Sequence, residues 1–118
     1  MKNRPETRYW GKRVSQGGGQ PVYKQLLPVG PSLRLALEPS LNLRDHSPDG
    51  FQWGYSGSGP AQLALAILLD ATDPETAQSY YQDFKEYIVA SWGQEWSITS
   101  QEILEWLEKE QARELQKA

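Results

Sequence analysis

From Ala61 to Leu69 the chain is apolar on almost every side of a helical wheel, with Gln62 the one polar interruption. A helix without a polar face cannot lie on a surface, so it must run through the middle of the molecule with other elements around it. Pro60 suits its first position, where the missing N–H of proline is no loss, and Ser58 or Gly59 can cap it. The run from Leu63 to Leu69 falls well short of the roughly 20 apolar residues that cross a bilayer. The expectation is a buried helix at the centre of a small domain, with no membrane contact.

The rest of the chain must supply the cover. With 118 residues there is length for one core, and residues 1–118 read as a single domain with a loose lead-in over 1–7. Arg8 to Val14 is a short aromatic and basic strand, broken by Gly17, Gly18 and Gly19. Pro21 to Val29 is its return strand, and an antiparallel hairpin joins the two without a crossover. Ser32 to Glu38 gives the clearest strand pattern, with Leu33, Leu35 and Leu37 on one face. Past Pro39 the alternation resumes at Leu41 and Leu43, as a further strand or the same strand bent. His46 to Gly50 reads as a β-turn.

A second helix is expected after Asp73, which caps it, with Pro74 at its first position and a stripe of Ala77, Tyr81, Phe84, Ile88 and Trp92 ending at Gly93. Thr99 and Glu102 form the capping box of a third, whose inward face is Ile103, Trp106 and Leu107. Residues 109–118 carry only Leu115 to bury, and read as a solvated or frayed helical tail. The predicted fold class is α+β, a small antiparallel sheet of three or four strands with three helices packed on one side.

The chemistry in the sequence is sparse. Cysteine is absent and there is a single histidine, so neither a thiolate nucleophile nor a His- or Cys-based metal site is expected, and no cofactor is implied. Together with the polar N-terminus, these features suggest a cytoplasmic protein. Twelve Lys and Arg against 15 Asp and Glu give a net charge of -3, which disfavours broad nucleic-acid binding. The distribution is uneven: Lys2, Arg4, Arg8, Lys12, Arg13 and Lys24 precede Glu38 with Glu6 as the only acid among them. The glycine-rich turn before Pro60 is neither a P-loop nor G-x-G-x-x-G, since Gln62 stands where the last glycine should be. It is no nucleophile elbow either, because Ser58 replaces the final glycine of G-x-S-x-G. Asp45, His46, Ser47 and Asp49 lie too close along one turn to make a triad, so no catalytic residue is assigned.

The stretch from His46 to Asp70 resembles the signature H-S-P-x-G-F-x-W-G-Y-x-G-S-G-P-A-Q-L-A-L-A of a small domain-of-unknown-function family spread through bacteria, archaea, plasmids and phages. The resemblance extends to the aromatic-basic first strand, the tyrosine-rich helix and the capped last helix. It implies no activity, and is compatible with an accessory protein of a mobile element. Ser56 departs from the glycine usual there, which makes it a poor candidate for an essential nucleophile.

Two expectations follow. The first is a non-catalytic module that binds another protein, since Trp10, Tyr23, Trp53, Tyr80, Tyr87, Trp92 and Trp96 exceed what one small core can hide. The second is a nucleotide or nucleic-acid binder using the basic-aromatic strand, with a phosphate seated on the turn. The candidate binding residues are Arg8, Trp10, Lys12, Arg13, Arg44, His46, Trp53, Tyr55, Gly57, Ser58 and Gly59. A basic-aromatic concavity favours the second expectation and a flat apolar patch the first.

Overall fold

The computed structural model describes residues 5–14 and 18–117; Gly17 of the glycine triplet and the first four residues of the lead-in lie outside them. The first strand, β1 (Thr7–Lys12), is followed by β2 (Val22–Leu26) and β3 (Ser32–Arg34). A fourth, β4 (Glu95–Thr99), joins from the far end of the chain, and the order β3-β2-β1-β4 is antiparallel throughout. The two-residue period of a strand sorts the side chains. Tyr9, Val22, Trp96 and Ile98 are buried on the face that meets the helices, whereas Arg8, Trp10 and Lys12 point the other way.

Between the sheet and the chain's midpoint lies a short helix, α1 (Glu38–Leu43), and then the apolar segment forms α2 (Ser58–Ala71). Leu63, Leu65, Ile67 and Leu68 have no exposed surface, as a helix apolar on all sides requires. Helix α3 (Pro74–Tyr87) packs along α2 and buries Ala77, Tyr81 and Phe84. Its cap is Asp73, whose carboxylate accepts the Thr76 N–H at 2.8 Å. The capping box is present at the start of α4 (Ser100–Lys117): Glu102 N–H donates to Thr99 Oγ1 at 3.1 Å, and Thr99 N–H to Glu102 Oε1 at 2.9 Å. Ile103 and Leu107 are buried, and Trp106 is half-buried, edge-on to Phe84. The helix continues to Lys117 with Leu115 exposed.

Gln62 answers the puzzle of a polar residue in this helix. It is fully buried, and its Oε1 accepts the N–H groups of His46 at 2.7 Å and Ser47 at 3.0 Å. Its Nε2 donates to Ser40 Oγ at 2.9 Å and to the Arg44 carbonyl at 3.0 Å. All four bonding positions of the amide are filled, so one side chain fastens the loop after α1 to the core. Asp70, near the far end of α2, accepts from Tyr9 Oη at 2.7 Å and pairs with Lys24 Nζ at 2.6 Å, which ties the sheet to the helix.

Several expectations need correction. The strand read over Ser32 to Glu38 stops at Arg34, and Leu33 is exposed while Leu35 is buried. Leu41 and Leu43 belong to a helix rather than a strand: Pro39 sits in its first turn, where its fixed φ matches the helix. Neither Ser58 nor Gly59 caps α2; both lie inside it ahead of Pro60, which is therefore its third residue and not its first, and Gly57 is the cap. Helix α3 ends at Tyr87, and a 3₁₀ turn, Val89–Ser91, intervenes before Trp92 and Gly93. Strand β4 was not anticipated, although Trp96 and Ile98 alternate with Glu95, Ser97 and Thr99.

Candidate functional site

The sheet has helices on one face, and the opposite face is where β1 sends its polar and aromatic side chains. The register places Arg34, Tyr23, Trp10 and Ser97 in one row across all four strands. Trp10 and Tyr23 stack with ring centroids 5.6 Å apart. The Arg8 guanidinium lies 4.4 Å from the Trp10 ring centre, and that of Arg34 lies 5.7 Å from the Tyr23 ring centre. The result is a run of four contacting side chains, Arg8–Trp10–Tyr23–Arg34. A guanidinium stacks on a ring while its N–H edge stays available for carboxylate or phosphate. Arg8 Nε donates to Ser97 Oγ at 3.1 Å, and neither guanidinium has an acid partner among the described residues. Lys12, on the same face, meets Glu95 only at 4.0 Å with both groups well exposed, a pairing worth little in water.

Arg13 leaves this surface and turns towards the glycine-rich segment. Its Nη2 donates to the Trp53 carbonyl at 3.1 Å and its Nη1 to Gln52 Oε1 at 3.2 Å, with the guanidinium 4.9 Å from the Trp53 ring centre. Trp53 is 0% exposed and its Nε1 donates to the Gly93 carbonyl at 2.7 Å, so this predicted contact residue is a core residue and cannot meet a ligand. It packs edge-on against Trp96, which in turn stacks on Trp92 at 3.9 Å. Gly54 adopts φ +89 and donates to the Val89 carbonyl at 3.1 Å, a conformation that favours glycine. Gly59 is buried, and a Cβ there would stand 2.6 Å from the Gln52 side chain. The glycines therefore serve close packing at the start of α2.

What stays exposed at this turn is Tyr55, whose ring lies against Gly57, together with Ser56 and Ser58. Ser56 Oγ donates to Glu86 Oε2 at 3.0 Å, and that bond, with help from Lys85, holds the Glu86 carboxyl below its usual range. A carboxylate beside the turn opposes an anion seated there. Arg44 and His46 belong to the loop that Gln62 fastens. Arg44 is exposed, and His46 Nε2 meets Tyr81 Oη at 2.7 Å. No hydrogen bond, ion pair or ring contact among the described residues joins Arg44 or His46 to the sheet face.

The predicted set thus separates into three places. Arg8, Trp10 and Lys12 share the outer sheet face, Arg13 bridges to the turn holding Trp53 through Gly59, and Arg44 with His46 stands apart. Sequence reasoning missed Tyr23 and Arg34 as members of the first group. Their strands were recognisable, but only the register sets them beside Trp10. Of the seven aromatics read as surplus, Trp53 and Trp96 are buried. Among the described residues, no group of three or more His, Asp and Glu is arranged to hold a metal ion, and no helix is long and apolar enough to cross a membrane.

Residues 9–109 match DUF6166, a family of unknown function. The chain belongs to that family. The matched DUF6166 region runs from Tyr9 in β1 to Lys109 in α4, so it holds the glycine-rich turn, the Gln62 fastening and the sheet apart from Thr7 and Arg8 at the start of β1. No curated protein and no solved structure matches the chain.

Proposed function

We propose that this DUF6166 protein is a non-catalytic binding module that recognises another protein through the outer face of its sheet. The observation that carries the reading is the Arg8–Trp10–Tyr23–Arg34 run, two half-buried rings and two acid-free guanidinium groups placed side by side on the sheet face away from the helices. Arginine and large aromatics are the residues that dominate binding energies at protein interfaces. The run does nothing for the core, because the rings lie on the side away from α2. A cytoplasmic setting fits a chain without cysteine, and the resemblance to a family carried by plasmids and phages supports an accessory role for a mobile element.

The test is photo-crosslinking in cells, with a photoreactive phenylalanine replacing Trp10 and, as a control, Leu104 on α4. A protein adduct should form at position 10 and disappear when Arg8→Glu and Arg34→Glu are introduced together. Equal adducts at both positions, or none at position 10, would refute the reading.

The positive charge of Arg8, Lys12 and Arg34 also favours a second reading, binding of single-stranded nucleic acid. Against it, guanidinium groups cover the ring faces that bases would need, and the whole chain is acidic. That reading predicts oligonucleotide binding that weakens steeply with salt, and a flat salt response removes it.

A further inference from the structure

Strand β3 is the outermost strand of the sheet on one side, and all three of its residues are exposed. Leu35 N–H donates to the Val22 carbonyl at 2.8 Å. In an antiparallel ladder, bonded and non-bonded pairs alternate, so the next bonded pair is Lys24 with Leu33. The N–H and C=O groups of Ser32 and Arg34 therefore point away from β2, along the open edge. No hydrogen bond among the described residues uses them. Such an edge is a template for another strand.

The two faces beside this edge differ in chemistry. On the outer face stands Arg34, the exposed end of the cationic run, with no acid partner. On the inner face Leu33 is 54% exposed and Leu26 is 50% exposed. With Pro5, Thr7, Pro31 and the Lys24–Asp70 ion pair they line a cavity of about 300 Å³. A strand laid along β3 would send alternate side chains to each face, one set to the guanidinium and the other to the exposed Leu26 and Leu33 at the cavity.

We infer that the partner of this module is an extended segment of another protein that alternates acidic and apolar residues and adds to the sheet beside β3. The inference rests on the proposed sheet-face function and specifies the partner. Charge complementarity selects acids over bases opposite Arg34, and main-chain bonds with alternating pockets are the means by which added strands are recognised. The edge is three residues long and bounded by Pro31, so it admits a short segment in one register and does not favour an open-ended sheet.

The experiment uses the full chain, isotopically labelled, and a synthetic nine-residue peptide alternating Glu and Val. Its Lys-Val counterpart is the control. The Glu-Val peptide should perturb the amide signals of Ser32, Leu33 and Arg34 and slow hydrogen exchange at Ser32 and Arg34. Arg34→Glu should weaken binding about tenfold, the effect of some 1.4 kcal/mol, and Leu33→Ser should weaken it independently. Both positions are exposed, and an unchanged amide spectrum elsewhere verifies that each variant folds.

The inference is overturned if the Lys-Val peptide binds as well, or if exchange at Ser32 and Arg34 stays fast. It is equally overturned if the protein protects those amides by dimerising alone, or if an oligothymidine displaces the peptide from the same residues. Failure here with crosslinking at position 10 retained would reject the edge and leave the sheet-face reading standing; loss of both would reject the two together.

Discussion

At the scale of single residues, Gln62 does the work of several contacts. Replacing it with leucine keeps the volume but strips the His46 and Ser47 N–H groups, the Ser40 hydroxyl and the Arg44 carbonyl of their partner. Four lost bonds of about 1 kcal/mol each, one of them to the buried Ser40, put the expected loss at roughly 3–4 kcal/mol in urea unfolding. Gly11 is constrained differently. A Cβ at this position would stand 2.7 Å from Trp96 Nε1 and 2.9 Å from Trp53 Cη2, two rings that are themselves locked in the core. Gly11→Ala should therefore destabilise by about 1–3 kcal/mol through overpacking, seen as a lower urea midpoint with an unchanged slope. Glu86 offers a titration test. Its carboxyl is lowered first by the Ser56 hydroxyl, so the associated stability is present above the ordinary glutamate range and fades as pH falls through the lowered value. In Ser56→Ala the Glu86 titration followed by NMR should move up towards the ordinary range, and a curve that does not move would contradict the Ser56 bond.

At the scale of elements, legibility followed the strength of local signals. The later helices were readable because caps and periodicity agree: Asp73 caps α3, and Thr99 with Glu102 boxes α4, whereas α2 was legible from its apolar run alone and its cap was misplaced. Thr99→Ala should cost about 1 kcal/mol by removing that cap, with fraying confined to the first turn of α4 in hydrogen exchange. The leucine alternation after Ser32 misled because it does not distinguish a strand from a short helix. Leu37 and Leu41 are two steps apart in a strand pattern, and also one helical turn apart, with the Leu41 N–H bonded to the Leu37 carbonyl at 3.2 Å. Strand β4 was hidden for another reason. Five residues placed just ahead of a strong helix signal form a strand because β1 has an unpaired edge in need of a neighbour, and no local propensity reports that.

At the scale of the whole molecule, the two halves of the predicted site prove to be doing different jobs. The glycine-rich turn spends its unusual residues on packing α2, Trp53 and Arg13 together, whereas the basic-aromatic strand splits by parity. Tyr9 goes inward to Asp70, while Arg8 and Trp10 go outward. A strand's two-residue period parts Arg13 from Arg8, Trp10 and Lys12, a division that the candidate set did not make. The partnership with Tyr23 and Arg34 was not readable from the sequence, since it depends on which residues of three strands stand opposite one another. This division predicts that binding and stability can be separated. The double variant Arg8→Glu, Arg34→Glu removes two stacking contacts that are worth about 0.5–1 kcal/mol each at exposed positions. It leaves every fully buried side chain and the Gln62 and Asp70 fastenings intact. Its urea midpoint should therefore fall by far less than that of Gln62→Leu, while crosslinking from position 10 disappears. Should the double variant instead unfold as readily as Gln62→Leu, the outer face would be holding the sheet together, and its exposed arginines would have a structural use in place of a partner.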